Sequence, residues 1–168
     1  MLHPLVRRTW APRGQTPTLR AWDRHDRLSA IAALSLSPIQ RRIGFSFFIH
    51  DHNVRAPDVV TFIDQLHRQL GRPITLVCDR YGVHRKAARL FAERGARWLQ
   101  VEWLPPYAPE LNPVEAAWNH TKYSDLANFI PDDVDHLFDA VGDSLNDLAF
   151  NTSLKHSFFR WAGLPLGP

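Results

Sequence analysis

The chain of 168 residues is 45% hydrophobic, which is enough for one sizeable core and predicts a single domain over residues 1–168. Its net charge of +3 and sequence pI of about 9.4 come mainly from arginine, whose planar fork suits phosphate, so nucleic acid is the natural acidic partner. A single cysteine excludes an internal disulfide framework and fits a reducing cytoplasm, and no apolar run is long enough to cross a bilayer.

The first segment, residues 2–22, is rich in proline and turn residues and predicts an extended arm. Arg7, Arg8, Arg13 and Arg20 are expected to be exposed along it. Such an arm suits a DNA backbone, and the alternative is an ordinary solvated loop.

Two runs of branched and aromatic residues, 27–36 and 42–49, predict an antiparallel hairpin. The polar loop 50–57 follows. His50, Asp51 and His52 are metal-ligating residue types, but adjacent loop residues rarely converge on one ion, so we expect a surface turn there.

Residues 57–70 carry apolar side chains at helical spacing and end at Gly71, which predicts an amphipathic helix. Residues 73–78 form a short apolar run, typical of a strand buried on both faces, and Asp79 follows it directly. A carboxylate at the carboxyl end of a central strand lies where open α/β sheets bind ligands. The alternative for Asp79 is a turn or helix-capping residue.

Residues 83–94 predict a second helix that ends at Gly95. Its inward face is expected to carry Val83, Ala87, Leu90 and Phe91, and its outward face Arg85, Lys86 and Arg89. Strand alternation points Cys78 away from Asp79, which indicates a small buried hydrophobe rather than a nucleophile.

The stretch 98–104 alternates as a strand and leads into LPPYAPELNPVEAAWNHTK, residues 104–122. Its prolines forbid a helix before Asn112, which is a good N-cap, and place Glu115 in the first helical turn. For an isolated N-x-x-E the simpler interpretation is a capping box. Asn119 and Lys122 are expected one and two turns beyond Glu115 on the same face. Two further helices are predicted over 131–148 and 152–161.

Three strings together resemble a known family. The 104–122 stretch resembles the signature of bacterial insertion-sequence transposases of the mariner-related DDE family, LVCDRYGVHRK resembles that family's second aspartate segment, and RRTWAPRGQTP resembles a segment that follows its first aspartate. The resemblance implies a ribonuclease H-like α/β fold, a mixed sheet flanked by helices. It also implies that the first, central strand and the N-terminal helix-turn-helix region are missing.

The resemblance further implies a function, DNA strand cleavage and strand transfer in transposition, with two Mg²⁺ ions and Mn²⁺ as a substitute. Asp79 and Glu115 match catalytic, metal-binding carboxylates of the family. DNA contacts are expected from Arg7, Arg8, Arg13, Arg85, Lys86, Arg89 and Lys122, and supporting roles from His84, Asn112 and Asn119.

The missing first aspartate leads us to expect that the isolated chain is inactive or nearly so, because two ions need a bridging carboxylate. The alternative function is a non-catalytic DNA-binding or transposase-partner remnant of the same fold. A host nuclease of this fold is a third alternative, which the 104–122 stretch favours less. The expected partners are transposon and target DNA and a second copy or a full-length transposase, in the cytoplasm at the nucleoid.

Overall fold

The computed structural model describes residues 7–8, 10–18, 28–37, 42–164 and 166. A hairpin of two strands is followed by alternating helices and strands up to Trp103, and the later elements are helical. The elements are β1 (Ser29–Leu36), β2 (Ile43–His50), α1 (Ala56–Leu70), β3 (Ile74–Cys78), α2 (Gly82–Glu93), β4 (Leu99–Trp103), α3 (Pro113–His120), α4 (Val134–Phe150) and α5 (Thr152–Trp161). Among these described elements, no helix is both long and apolar enough to cross a membrane.

The strands form two separate two-stranded sheets. β1 and β2 pair antiparallel, with Ile31 opposite Phe48, which confirms the predicted hairpin. β3 and β4 pair in parallel, with Leu76 opposite Val101. Within the described ranges no strand joins the two sheets, so the mixed α/β architecture is held together by its helices.

Helix α1 forms because its apolar residues recur at helical spacing, and it ends where Gly71 takes a left-handed conformation (φ 62°). Its buried stripe contains Val59, Phe62 and Ile63. The Phe62 ring meets the Phe48 ring of β2 edge to face, with centroids 5.2 Å apart. Each of these fully buried side chains contributes about 1.5–3 kcal/mol to folding.

Val59, Phe62 and Ile63 belong to a larger buried core, the α1 cluster, which contacts both sheets. Ile31 and Phe48 of the hairpin pack against α1 from one side, and Leu76 of β3 and Leu99 of β4 pack against the same cluster. α2 completes it with Ala87 and Phe91. α1 and α2 therefore fix the position of one sheet relative to the other.

The opposite face of the hairpin is covered by the C-terminal helices. Leu34 and Phe45 pack there against a second cluster that includes Ala117 of α3, Leu148 of α4 and Phe158 of α5. Helix α4, predicted over 131–148, contacts β2 and so packs on the hairpin sheet.

Two expectations about burial are wrong. β3 is not buried on both faces, because Thr75 and Val77 are exposed, Val77 at 56%. An apolar run predicts a strand, but it does not show which face of the strand other elements will cover. Here only the face carrying Leu76 packs against the α1 cluster. Leu90, expected to face inward on α2, is 40% exposed.

Candidate functional site

Asp79 lies immediately after β3, at the carboxyl end of the strand. Its Oδ1 accepts two hydrogen bonds, from the backbone N of Tyr81 at 2.9 Å and from His84 Nδ1 at 2.7 Å. The side chain is 52% exposed. The aspartate is therefore a turn residue, as the simpler interpretation held, and at the same time an oriented carboxylate open to solvent.

The segment leading to Glu115 starts beside Asp79. Leu104 N donates to Cys78 O at 2.9 Å, which continues the parallel pairing of β3 and β4 by one step. The chain then turns at Tyr107, whose φ of 58° is unusual for a residue with a bulky side chain. A short 3₁₀ turn, Pro109–Leu111, connects this bend to α3.

Glu115 occupies the first turn of α3, as predicted from the cap. Asn112 Oδ1 accepts from Val114 N at 3.3 Å and thereby caps the helix. No reciprocal bond from the Glu115 side chain to the cap is formed within the described chain, so the capping-box interpretation is wrong for this residue. The half-buried carboxylate of Glu115 is held in place by the helix.

The helix after Glu115 does not continue as expected. α3 ends at His120, and Thr121–Asp125 form a π-helical segment, closed by a bond from Leu126 N to Thr121 O at 2.9 Å. Asn119 is exposed within α3. Lys122 is exposed too, but the α-helical spacing that predicts it two turns beyond Glu115 does not extend over it.

Besides Lys122, the basic residues expected to contact DNA are exposed and lie in two places. Arg85, Lys86 and Arg89 form the outer face of α2. Arg7, Arg8 and Arg13 lie on the N-terminal segment, which is tied to the turn after the π-helical segment by a bond from Arg7 N to Asn128 Oδ1 at 2.8 Å. Arg20 falls outside the described residues.

A known protein family matches this chain. The family model of the DDE superfamily endonuclease matches residues 1–137, most of the chain. The chain belongs to the DDE superfamily of endonucleases. This family covers β1 to β4, Asp79, Glu115 and the start of α4.

A solved structure supports the same fold for the DDE chain. A protein chain in the crystal structure of the Mos1 strand transfer complex is similar to it with a TM-score of 0.60 and 17% sequence identity. The similarity covers 96% of this chain and 47% of that one, so the DDE chain spans about half the length of its structural neighbour. A comparison with curated protein sequences gives no significant match.

Cys78 is not suited to nucleophilic chemistry in the DDE chain. Burial, with a smaller contribution from the negative charge of Asp79, raises the pKa of its thiol to about 11. The reactive form of cysteine is the thiolate, and a raised pKa disfavours it. The interpretation as a small, partly buried hydrophobe is consistent with this environment.

One cluster of metal-ligating side chains lies at the expected surface turn. Asp51 and His52 do form a bend, but His50, His52 and Asp58 offer ligand atoms that all lie within 4.8 Å of one another. Asp58 belongs to the next helix, α1, whose first turn lies beside the end of β2. The fold, and not the sequence alone, therefore brings Asp58 close to the two histidines. A signal was available in the spacing His-x-His before a helix with aspartate in its first turn.

Proposed function

We propose that the DDE chain is the catalytic domain of a transposase, which cleaves DNA strands and transfers them to a target. The observation that carries the proposal is the pair Asp79 and Glu115. One is an exposed carboxylate at a strand end, the other a half-buried carboxylate in a first helical turn, and both lie within the region that the family model covers. The strand transfer complex named for the structural neighbour supports DNA as the partner.

The chemistry of the two side chains fits Mg²⁺, with Mn²⁺ as a substitute. Both ions prefer carboxylate oxygens, and Asp79 and Glu115 supply oxygens only. The two hydrogen bonds to Asp79 Oδ1 fix the orientation of that carboxylate. When bound, the ions would polarise the phosphodiester and promote ionisation of the attacking water.

The reaction itself is an in-line displacement at phosphorus. In cleavage a water oxygen forms the new bond, the bond to the 3′ oxygen breaks, and that oxygen leaves as a hydroxyl. In strand transfer the 3′ hydroxyl replaces water as the nucleophile: its oxygen bonds to a target phosphorus, the bond from that phosphorus to the target 3′ oxygen breaks, and this oxygen leaves as a hydroxyl. The role of the exposed Lys122, Arg7 and α2 cations would be to hold the phosphates on either side of the reacting bond.

His84 would act as a positioning residue, because it contacts the carboxylate of Asp79. Asn112 would support the site by capping the helix that carries Glu115. Asn119, one turn further along α3, is exposed and would extend this polar surface towards DNA.

Two carboxylates hold one ion each at best, whereas a bridging third carboxylate is needed for a two-ion site. We therefore propose that full activity requires a further carboxylate in addition to this pair, supplied by a partner, either a second copy or a full-length transposase. The chain would act in the cytoplasm, at the nucleoid.

The test is titration calorimetry of the chain with Mn²⁺. Asp79→Asn and Glu115→Gln should each weaken binding strongly, because each removes a charged ligand. Glu110→Gln is the matched control, since Glu110 lies in the same segment and is exposed. Parallel titrations on His52→Gln identify any Mn²⁺ bound at the histidine cluster. Binding that neither carboxylate variant affects would refute the proposal and leave the non-catalytic remnant as the better description.

A further inference from the structure

The end of β2 and the first turn of α1 bring together two imidazoles and a carboxylate, none of which belongs to Asp79 or Glu115. His50 is the last residue of β2, His52 lies on the bend that follows, and Asp58 is in the first turn of α1. Their ligand atoms lie within 4.8 Å of one another. The two histidine rings have centroids 4.9 Å apart.

A second observation concerns His50 alone. Its Nε2 is buried and has no hydrogen-bond partner among the described residues. Buried polar atoms in folded proteins are almost always paired, and an unpaired one needs an explanation such as an ion. A metal ion at the centre of the cluster would supply the missing partner.

The surroundings of the other two residues orient them towards the same centre. His52 Nδ1 lies 2.9 Å from Asp51 Oδ1, so its Nε2 faces Asp58, at 3.3 Å from Oδ2. Asp58 Oδ2 also accepts the backbone N–H of Arg55 at 2.7 Å. A carboxylate that fixes one ring nitrogen of a histidine while the other binds metal is a common arrangement around metal ions in proteins.

We propose that His50 Nε2, His52 Nε2 and a carboxylate oxygen of Asp58 form a binding site for a divalent transition-metal ion of the Zn²⁺ class, with water at the fourth position. Two nitrogens and one oxygen suit Zn²⁺ and disfavour Mg²⁺, which binds oxygen ligands. The ion would link the end of the hairpin to α1.

The geometry needs a small adjustment to accept an ion. Ligand atoms on one tetrahedral Zn²⁺ lie about 3.3 Å apart, because each bond is about 2.0–2.1 Å long. The separations of up to 4.8 Å close to that value by rotation of side chains. His52 has room for a small shift of this kind, since its side chain is 47% exposed on a bend.

The experiment is a Zn²⁺ titration of the untagged, chelator-treated 168-residue chain, repeated with Co²⁺ to follow its visible absorption. We expect one Zn²⁺ per chain, bound in excess Mg²⁺, and a Co²⁺ spectrum of low coordination number. His52→Gln should weaken Zn²⁺ binding by about 100-fold or more, because loss of even an outer partner typically costs 10–100-fold. His50→Gln should do the same.

The matched control is His136→Gln. His136 is similarly exposed (45%) and also lies beside an aspartate, Asp132 at 3.3 Å, but it belongs to no described cluster of three metal-ligating residues. Zn²⁺ binding should survive this change, and so should it survive Asp79→Asn.

Three results would overturn the site: no Zn²⁺ binding to the parent chain, equal binding by His52→Gln, or equal losses from His52→Gln and His136→Gln. If Asp79→Asn lost Zn²⁺ binding and the histidine variants kept it, the ion would bind at Asp79 and Glu115. This result would refute the histidine site and leave the proposed function intact. Because His52 is exposed, circular dichroism should show that His52→Gln keeps the parent fold, even if His50→Gln does not.

Discussion

Removal of the His84 side chain tests whether Asp79 is held in place for metal binding or only for turn structure. His84 Nδ1 and Tyr81 N both donate to Asp79 Oδ1, at 2.7 and 2.9 Å. His84→Ala deletes one of these two bonds and leaves the backbone bond intact. The carboxylate would keep its place after β3 but lose part of its orientation.

The two possible roles of His84 differ in magnitude. The side chains of His84 and Asp79 are 31% and 52% exposed, so their pairing contributes only about 0.2–1 kcal/mol to the free energy of unfolding. An outer partner of a metal ligand typically changes metal affinity by about 10–100-fold, or about 1.4–2.7 kcal/mol. We therefore expect a larger loss of Mn²⁺ affinity than of stability.

The assay pairs Mn²⁺ calorimetry with urea unfolding on His84→Ala. His84→Gln, which retains an N–H donor, should recover part of the affinity. The reasoning is refuted if Mn²⁺ affinity is unchanged in His84→Ala while the free energy of unfolding falls, since the histidine would then only stabilise the turn.

Three further experiments test the packing, the backbone and the thiol. Leu145→Ala should cost about 2–5 kcal/mol in urea unfolding because Leu145 is fully buried, whereas Phe150→Ala, at an 87% exposed position, should stay within about 0.5 kcal/mol. Gly71→Ala should cost about 1–2 kcal/mol through its positive φ, and Gly82→Ala, where φ is not positive and a Cβ also meets open space, should cost nothing; equal effects would contradict this. The pKa of Cys78 is raised from 9.0 to about 11, so near pH 8 its thiolate fraction and its rate with a thiol reagent should be about 100-fold below those of an ordinary cysteine, rising with pH up to about 11; an ordinary rate near pH 8 would contradict the buried environment.

The elements that follow from local patterns were predictable from the sequence. Residues 57–70 and 152–161 form helices almost where the apolar spacing and the caps place them, at Ala56–Leu70 and Thr152–Trp161. The hairpin follows from its β-branched and aromatic runs. In each case the signal lies within a few residues of the element, and no distant contact is needed to specify it.

Features that depend on distant neighbours were not predictable. The exposed face of β3 is one such feature, because the apolar residues of a strand do not show which helices will cover it. The π-helical segment Thr121–Asp125 is another; its buried Thr121 hydroxyl and Asp125 carboxylate both meet the Ser144 hydroxyl of α4, at 3.0 and 2.6 Å. These hydrogen bonds join residues about twenty positions apart, so no local sequence pattern predicts them.

The candidate site combines both situations. Asp79 and Glu115 were each identified from local signals, a strand end and a helix start. Their relative position, however, is set by different parts of the fold. Asp79 belongs to the β3–β4 sheet, whereas α3, which carries Glu115, packs on β1 of the hairpin.

Because no described strand joins the two sheets, the helices that touch both must fix the separation of the two carboxylates. The α1 cluster does so, since Phe62 and its neighbours contact Phe48 of the hairpin and Leu76 of the β3–β4 sheet. A loss of packing there would shift one sheet against the other. Metal affinity at Asp79 and Glu115 should therefore depend on this buried cluster even though none of its side chains is a ligand.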